Sequence, residues 1–344
     1  MLDWYAGHYR SLPWRLDATA YHVWVSEIML QQTRIETVIP YYHRFIDVLP
    51  DVSALANADT ELLLKLWEGL GYYSRVRNLQ KTAQVLVNDY AGQIPADYDR
   101  LLALPGIGEY TAGAIASIAF SIPVPAVDGN VMRVLARLIA DDTDVLSTAG
   151  KKRFTDLAWQ MVPEEDPGRF NQALMELGET ICLPAKPECQ HCPLKQQCEA
   201  YNQGRTNELP VRINKTKRHV EERAIALVKI DSDPPMVLLH KRGDSGLLAG
   251  LWELPNCLGD DALSAVPEVV REQCRYVEGL PTAKHLFSHI EWRMTATLYA
   301  LPATVTLPDG YRAATLTQLQ TAFPLPGAFR AYSRLFPKLL QEEK

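Results

Sequence analysis

The chain has 344 residues, 47% hydrophobic and 22% charged, with a formal net charge of −6. That length suits two domains with separate cores, and the acid excess excludes a protein that coats polyanions indiscriminately, so any contact with nucleic acid has to come from local features. The longest apolar stretch, 115–127, is broken by Pro123 and Pro125 and falls short of the ~20 residues that span a bilayer; with no signal peptide after Met1, the chain is expected to be soluble, cytoplasmic and monomeric, with no membrane contact.

From Tyr21 to about Ala200 apolar residues recur at helical spacing, with Pro, Gly, Asp and Asn between the runs. The pattern predicts helices over 23–45, 60–70, 74–90, 111–120, 130–140 and 168–177, joined by short connections into an all-helical domain covering 1–201. A polar, basic stretch follows at 202–220, with Arg205, Arg212, Lys215, Lys217 and Arg218. It reads as an interdomain linker, either a solvated connector or a strap that meets phosphates. The texture then turns to β at 223–230, 236–240 and 292–300, with helices expected at 265–274 and 327–340. This gives an α+β domain over 221–344.

Four stretches carry chemistry. In Leu104-Pro105-Gly106-Ile107-Gly108-Glu109-Tyr110-Thr111-Ala112 the glycines allow a tight turn whose amides point outward at the start of a helix. Such a turn holds a phosphate without a basic side chain; a plain helix connection is the alternative. Asp128, in Val127-Asp128-Gly129-Asn130, is either a helix N-cap or a reactive carboxylate. Glu27, embedded in Trp24-Val25-Ser26-Glu27-Ile28-Met29-Leu30, has apolar neighbours that would raise its pKa and suit it to acid–base work near neutral pH; a solvent-facing helix glutamate is the plainer alternative. Finally, Cys182, Cys189, Cys192 and Cys198 stand as C-x6-C-x2-C-x5-C. Soft thiolates at this spacing point to zinc, copper(I) or an iron–sulfur cluster, and a reducing compartment disfavours disulfides.

Together the turn, the following Asp and the cysteine array resemble the helix-hairpin-helix DNA glycosylases of the endonuclease III superfamily, over roughly residues 1–200. Pro13-Trp14-Arg15, Trp24 to Thr33 and Gly69-Leu70-Gly71-Tyr72-Tyr73-Ser74-Arg75 narrow the likeness to adenine DNA glycosylases of the MutY type. The resemblance implies a 4Fe-4S cluster on the four cysteines of the 182–198 loop. It implies that Glu27 protonates adenine, that Asp128 faces the sugar, and that Tyr110 and Asn130 position the pair. Arg10, Trp14, Arg15, Leu30 and Gln172 match the family's adenine pocket. Gln32 and Tyr72 match residues that fill the gap left by the extruded base, with Thr33, Gly106 and Gly108 also on the DNA. Tyr110 stands where lyases of the superfamily carry lysine, which implies a monofunctional enzyme.

The second domain resembles the MutT-like, Nudix-type module of the same family, through Gly250-Leu251-Trp252-Glu253-Leu254-Pro255. Where a hydrolytic Nudix enzyme has R-E-x-x-E-E, this chain reads Arg271-Glu272-Gln273-Cys274-Arg275-Tyr276, without the carboxylates that hold divalent metal. Phe287-Ser288-His289 matches the loop that recognises 8-oxoguanine; a turn leading into a strand is its plainer alternative. The implied partner is duplex DNA with adenine opposite 8-oxoguanine or guanine. Cys257 and Cys274 are expected as small buried residues.

Overall fold

The computed structural model describes residues 1–213 and 217–340. Lys215, one of the basic residues of the expected linker, lies outside them. Contacts divide the chain into two units, Met1–Ala58 with Ser74–Lys215, and Asp59–Tyr73 with Thr216–Lys344.

The first unit is helical. In chain order it contains α1 (Leu2–His8), α2 (Pro13–Leu16), α3 (Ala20–Leu30), α4 (Ile35–Val48) and α5 (Val52–Asn57). After α6 (Thr60–Leu66), which belongs to the other unit, come α7 (Ser74–Asp89), α8 (Tyr98–Leu102), α9 (Glu109–Phe120), α10 (Gly129–Leu138), α11 (Thr148–Met161), α12 (Pro167–Thr180) and α13 (Glu199–Asn202). One core brings together Val131, Val134 and Leu135 of α10, Phe154 of α11 and Leu174 and Leu177 of α12. Burying such side chains contributes about 1.5–3 kcal/mol each.

The run expected as one helix over 23–45 is two. Gln31 ends α3, Gln32 adopts a left-handed backbone with φ +59°, and Arg34 caps α4. Gln31 to Arg34 are polar, but no Pro or Gly stands among them to signal a stop. The stop is fixed instead from a distance: buried Arg75 Nη1 donates to the carbonyls of Ile28 (2.7 Å), Met29 (3.0 Å) and Gln31 (2.6 Å), satisfying the end of α3. The helix expected to reach residue 70 ends at Leu66, before Gly69 (φ +101°) and Gly71 (φ +72°).

Within 202–220 the backbone is packed before it becomes a connector. The Leu209 carbonyl accepts from Arg137 Nε at 2.9 Å, and the Val211 carbonyl accepts from Val145 N at 3.1 Å.

The second unit is built on a sheet. Its strands are β1 (His219–Asp231), β2 (Met236–Lys241), β3 (Trp252–Glu253), β4 (Asn256–Leu258), β5 (Arg275–Leu286), β6 (Ile290–Pro302) and β7 (Tyr311–Thr315), in the order β3-β2-β1-β6-β5, with β4 on β1 and β7 on β2. β1 and β6 pair in parallel over their whole length, from His219 opposite Ile290 to Asp231 opposite Pro302. Alternate β1 residues face opposite ways. Ile225 and Leu227 enter one core with Trp292, Leu298 and Phe329, while Ala224, Ala226 and Val228 enter another with Val266 and Val270. A strand covered on both faces reads as a continuous apolar run.

The helix expected over 265–274 shrinks to α14 (Glu268–Arg271), and the one over 327–340 is split into a 3-10 turn (Gly327–Phe329), α16 (Arg330–Ser333) and α17 (Phe336–Leu339), after α15 (Leu316–Thr321). Pro337 stands at the start of α17, a place where its missing N–H does no harm but which cannot continue a preceding helix. Among the described residues no helix is long and apolar enough to cross a membrane.

Candidate active site

Helices α3, α9, α10 and α12 surround a cleft of about 1010 Å3 in the first unit, lined by Glu27, Tyr110, Asp128 and Asn130 among others. Glu27 lies on the buried face of α3, only 6% exposed. Its Oε2 accepts a hydrogen bond from the Tyr110 hydroxyl, which also lies 3.4 Å from Met175 Sδ. Burial pushes the Glu27 carboxyl up to about 7; the Tyr110 hydrogen bond opposes this, the charges of Asp128 and Glu179 add to it, and Arg15 opposes it. Tyr110 itself is pushed well above its ordinary range, by burial and then by Glu27, so it stays a donor.

Asp128 caps α10. Its Oδ1 accepts from Val131 N and its Oδ2 from Asn130 Nδ2, both at 2.8 Å. The capping and reactive readings are therefore compatible in one residue. Burial raises its pKa, while the Val131 amide and then Asn130 oppose the rise. Asn130 in turn accepts from Arg133 Nη2 at 2.9 Å.

Glycines bring the backbones this close. A Cβ on Gly113 of α9 would stand 2.0 Å from the Pro125 carbonyl oxygen, and one on Gly178 of α12 would stand 2.7 Å from Asn130 Cβ, so no larger residue fits without moving the segment that carries Asp128 and Asn130.

All five residues matched to the adenine pocket, Arg10, Trp14, Arg15, Leu30 and Gln172, line this cleft. Trp14 is also core, with its ring edge-on to Tyr42 at 5.3 Å. The structure adds residues that the sequence reading missed. Fully buried Glu176 accepts from Arg10 Nε at 2.6 Å and from Arg15 Nη2 at 2.8 Å, and Glu179 accepts from Arg10 Nη2. Burial raises the Glu176 carboxyl, but the two arginines outweigh it and hold the group below its usual value. Tyr5 donates to Gln172 Oε1 at 3.1 Å. The only local signal was the placing of Glu176 and Glu179 four and seven positions after Gln172, on one face of α12.

In the 104–108 turn Gly106 has φ +74°, and a Cβ there would lie 2.6 Å from Asn78 Cβ. Gly108 is the N-cap of α9 and makes no side-chain cap, which leaves the helix start open to an anion. Gln32 and Thr33 line the cleft. Tyr72 is 47% exposed and left-handed at φ +48°, on the segment that groups with the second unit. Arg212, of the expected linker, brings Nη2 within 4.0 Å of where a Cβ on Gly129 would stand, next to Asp128.

Cys182, Cys189, Cys192 and Cys198 line one cavity of about 30 Å3 with Arg137, Ile181 and Tyr201. Among the described residues no group of three or more His, Cys, Asp or Glu is arranged to hold a single metal ion. Burial, then the charges of Cys182 and Cys198, raise the Cys189 thiol, so the sulfurs sense one another. Arg137, 1% exposed, holds the loop: Nη1 donates to Cys182 Sγ at 3.2 Å and to the Leu183 carbonyl at 2.8 Å, and Nη2 to the Pro184 carbonyl at 3.0 Å. Arg133, one turn earlier, donates from Nε to the Cys182 carbonyl at 2.8 Å. One helix thus joins Asp128 and Asn130 at its start to the cysteine loop farther along.

In the second unit, Phe287, Ser288 and His289 form the tip between β5 and β6, closed by Phe287 N donating to the Ile290 carbonyl at 2.8 Å. Phe287 packs edge-on to Trp292 at 4.9 Å, while Ser288 and His289 are exposed with Ser288 Oγ 3.4 Å from His289 Nδ1. Both readings of this stretch, a turn and a presented surface, fit that geometry. Glu253, buried at the end of β3, accepts from Arg242 Nη1 at 2.6 Å and Asn256 Nδ2 at 2.8 Å, so its carboxylate is used within the fold. Arg271, Glu272 and Gln273 are exposed. Cys257 and Cys274 are half-buried rather than buried; Cys257 Sγ lies 3.1 Å from the Asp261 carbonyl and 3.0 Å from Ser264 Oγ.

Residues 25–163 match the HhH-GPD superfamily of base excision DNA repair proteins, and residues 225–334 match the NUDIX domain. A thermostable thymine-DNA glycosylase superposes with a TM-score of 0.53 at 28% identity, covering 59% of this chain and 93% of its own. Endonuclease III, in a non-covalent DNA complex, gives 0.50 at 26% identity, covering 59% and 94%. The adenine DNA glycosylase of Mus musculus is 39% identical over 91% of this chain and 72% of its own length, and that of Homo sapiens is 37% identical over 94% and 70%. The chain therefore belongs to the adenine DNA glycosylase family, base excision repair enzymes that act on adenine, with a helix-hairpin-helix domain followed by a Nudix domain.

Proposed function

We propose that this chain hydrolyses the N-glycosidic bond of adenine opposite 8-oxoguanine or guanine in duplex DNA, with Glu27 as general acid and Asp128 as the carboxylate facing the sugar. The carrying observation is the pair of buried carboxyls in one cleft, held in different environments: Glu27 among apolar neighbours and Asp128 between two N–H donors. Environments that differ in this way assign acid and base roles. A carboxyl with a pKa of about 7 carries a proton in a substantial fraction of molecules at neutral pH. Tyr110 occupies Oε2, which leaves Oε1 for the proton delivered to the adenine ring; the base then departs neutral. Asp128 stabilises the positive charge that develops on the sugar, as paired carboxylates do in glycoside hydrolysis. Asn130 holds its orientation.

DNA contact is supported by the open start of α9 and by Arg212 beside Gly129. The four cysteines around one cavity, with the Arg137 cation on a sulfur, fit a 4Fe-4S cluster, which would tie the loop to α10. The exposed Ser288 and His289 support a role for the 287–289 tip in reading the oxidised base.

A labelled duplex with one adenine opposite 8-oxoguanine, with and without hot alkali, tests the reaction. The expected result is strand scission only after alkali, and a loss of at least ~100-fold in single-turnover rate for Glu27→Gln and Asp128→Asn with DNA binding retained. Near-normal excision by either variant removes that residue's role. Scission without alkali would point to a lyase and to the amine of Lys151, which also lines the cleft.

A further inference from the structure

A further carboxylate lines the cleft that holds Glu27 and Asp128. Glu179, in the last turn of α12, shares the Arg10 guanidinium with Glu176: Arg10 Nη2 donates to Glu176 Oε2 at 3.1 Å and also to Glu179 Oε2. The two acids are not equivalent. The Glu176 side chain is fully buried and closed in by both Arg10 and Arg15, whereas that of Glu179 keeps 32% exposure and borders the open volume.

We propose that Glu179 is a positioning residue for adenine release, a further carboxylate that Arg10 anchors in the cleft that Glu27 and Asp128 also line. The proposal rests on the reading of Glu27 as the general acid. The groups that bear on Glu27 come from each surrounding element: Tyr110 from α9, Asp128 from the cap of α10, Glu179 from α12 and Arg15 from α2. Tyr110 and Arg15 favour the ionised form, Asp128 and Glu179 the protonated one. Burial raises the Glu179 carboxyl; the Arg10 guanidinium opposes the rise, and the charges of Asp128 and Glu176 add to it. Asp128 faces the sugar and must remain charged for that purpose, so Glu179 is the negative charge whose effect on the acid is separable from the chemistry. The ion pair with Arg10 favours its ionised form.

The test is the pH profile of single-turnover adenine release by the full-length protein, compared for wild type, Glu179→Gln and Glu179→Asp. Glu179→Gln keeps an acceptor for Arg10 but removes the charge. Its alkaline limb should move down by about half a pH unit, so that the ratio of the rate at about pH 8.5 to that at about pH 6 falls roughly threefold. Glu179→Asp, which keeps the charge, should retain the wild-type limb. A fall by the same factor at every pH, or no change at any, overturns the proposal. Glu27→Gln run alongside separates the two readings: near-wild-type excision by that variant overturns the acid assignment itself, whereas abolished excision with an unmoved Glu179→Gln profile overturns only the role of Glu179.

Discussion

Glu27 is surrounded by Trp24, Val25, Ile28 and Met29, all buried, and a carboxyl in that company works against the fold wherever it is ionised. Free glutamate titrates near 4.5 and the folded residue near 7. Between those values the native state binds more protons than the unfolded one, so stability falls as pH rises through the window, by up to about 3 kcal/mol above it. Glu27→Gln removes this titration. Its melting temperature should exceed that of wild type at about pH 8 and match it near pH 4; a less stable variant at pH 8 would mean that the Tyr110 hydrogen bond outweighs burial. The position of Glu27 is legible from its neighbours along the chain. Glu176 and Glu179 are not, because their meaning depends on Arg10, 166 and 169 positions away.

At the scale of elements, α10 is the informative helix. Its start carries Asp128 and Asn130, and Arg133 and Arg137, one turn apart, gather the carbonyls of Cys182, Leu183, Pro184 and Leu209. Two buried guanidiniums so committed cannot move independently of the cysteine loop. Protein prepared without air should hold about four irons per chain, and Cys198→Ser should lower iron content and soluble yield together, since metal binding contributes folding energy. One equivalent of zinc with negligible iron would remove the cluster assignment. The cysteine spacing is fully legible in sequence, whereas the arginines read there as ordinary charges on an amphipathic helix. The broken 23–45 run has the same explanation, since its stop is made by Arg75. Strand β5 was not anticipated because its exposed edge carries Arg275, Glu278, Gly279 and Pro281, which lack the apolar alternation that marks a half-buried strand.

For the whole molecule, the change from helical to β texture near residue 221 announces two units, and the chemistry divides between them. The residues proposed to act on adenine, Glu27, Tyr110, Asp128 and Asn130, lie in the first unit. In the proposed reaction the base opposite the target is 8-oxoguanine, which differs from guanine by one carbonyl oxygen and one protonated ring nitrogen, so discrimination needs a donor and an acceptor directed at that base. Ser288 offers both in one hydroxyl, exposed at the β5–β6 tip beside His289 while Phe287 anchors the tip on Trp292. A lost hydrogen bond of this kind costs about 1–3 kcal/mol, or roughly 5- to 150-fold. Ser288→Ala combined with His289→Ala should therefore reduce the preference for adenine opposite 8-oxoguanine, measured as the ratio of single-turnover excision rates at limiting enzyme against adenine opposite guanine, while sparing the latter. Neither side chain belongs to the core of the sheet unit, so its melting temperature should not move. Equal losses on both duplexes, or none on either, would take recognition of the oxidised base away from this tip and require the donor and acceptor to be found elsewhere.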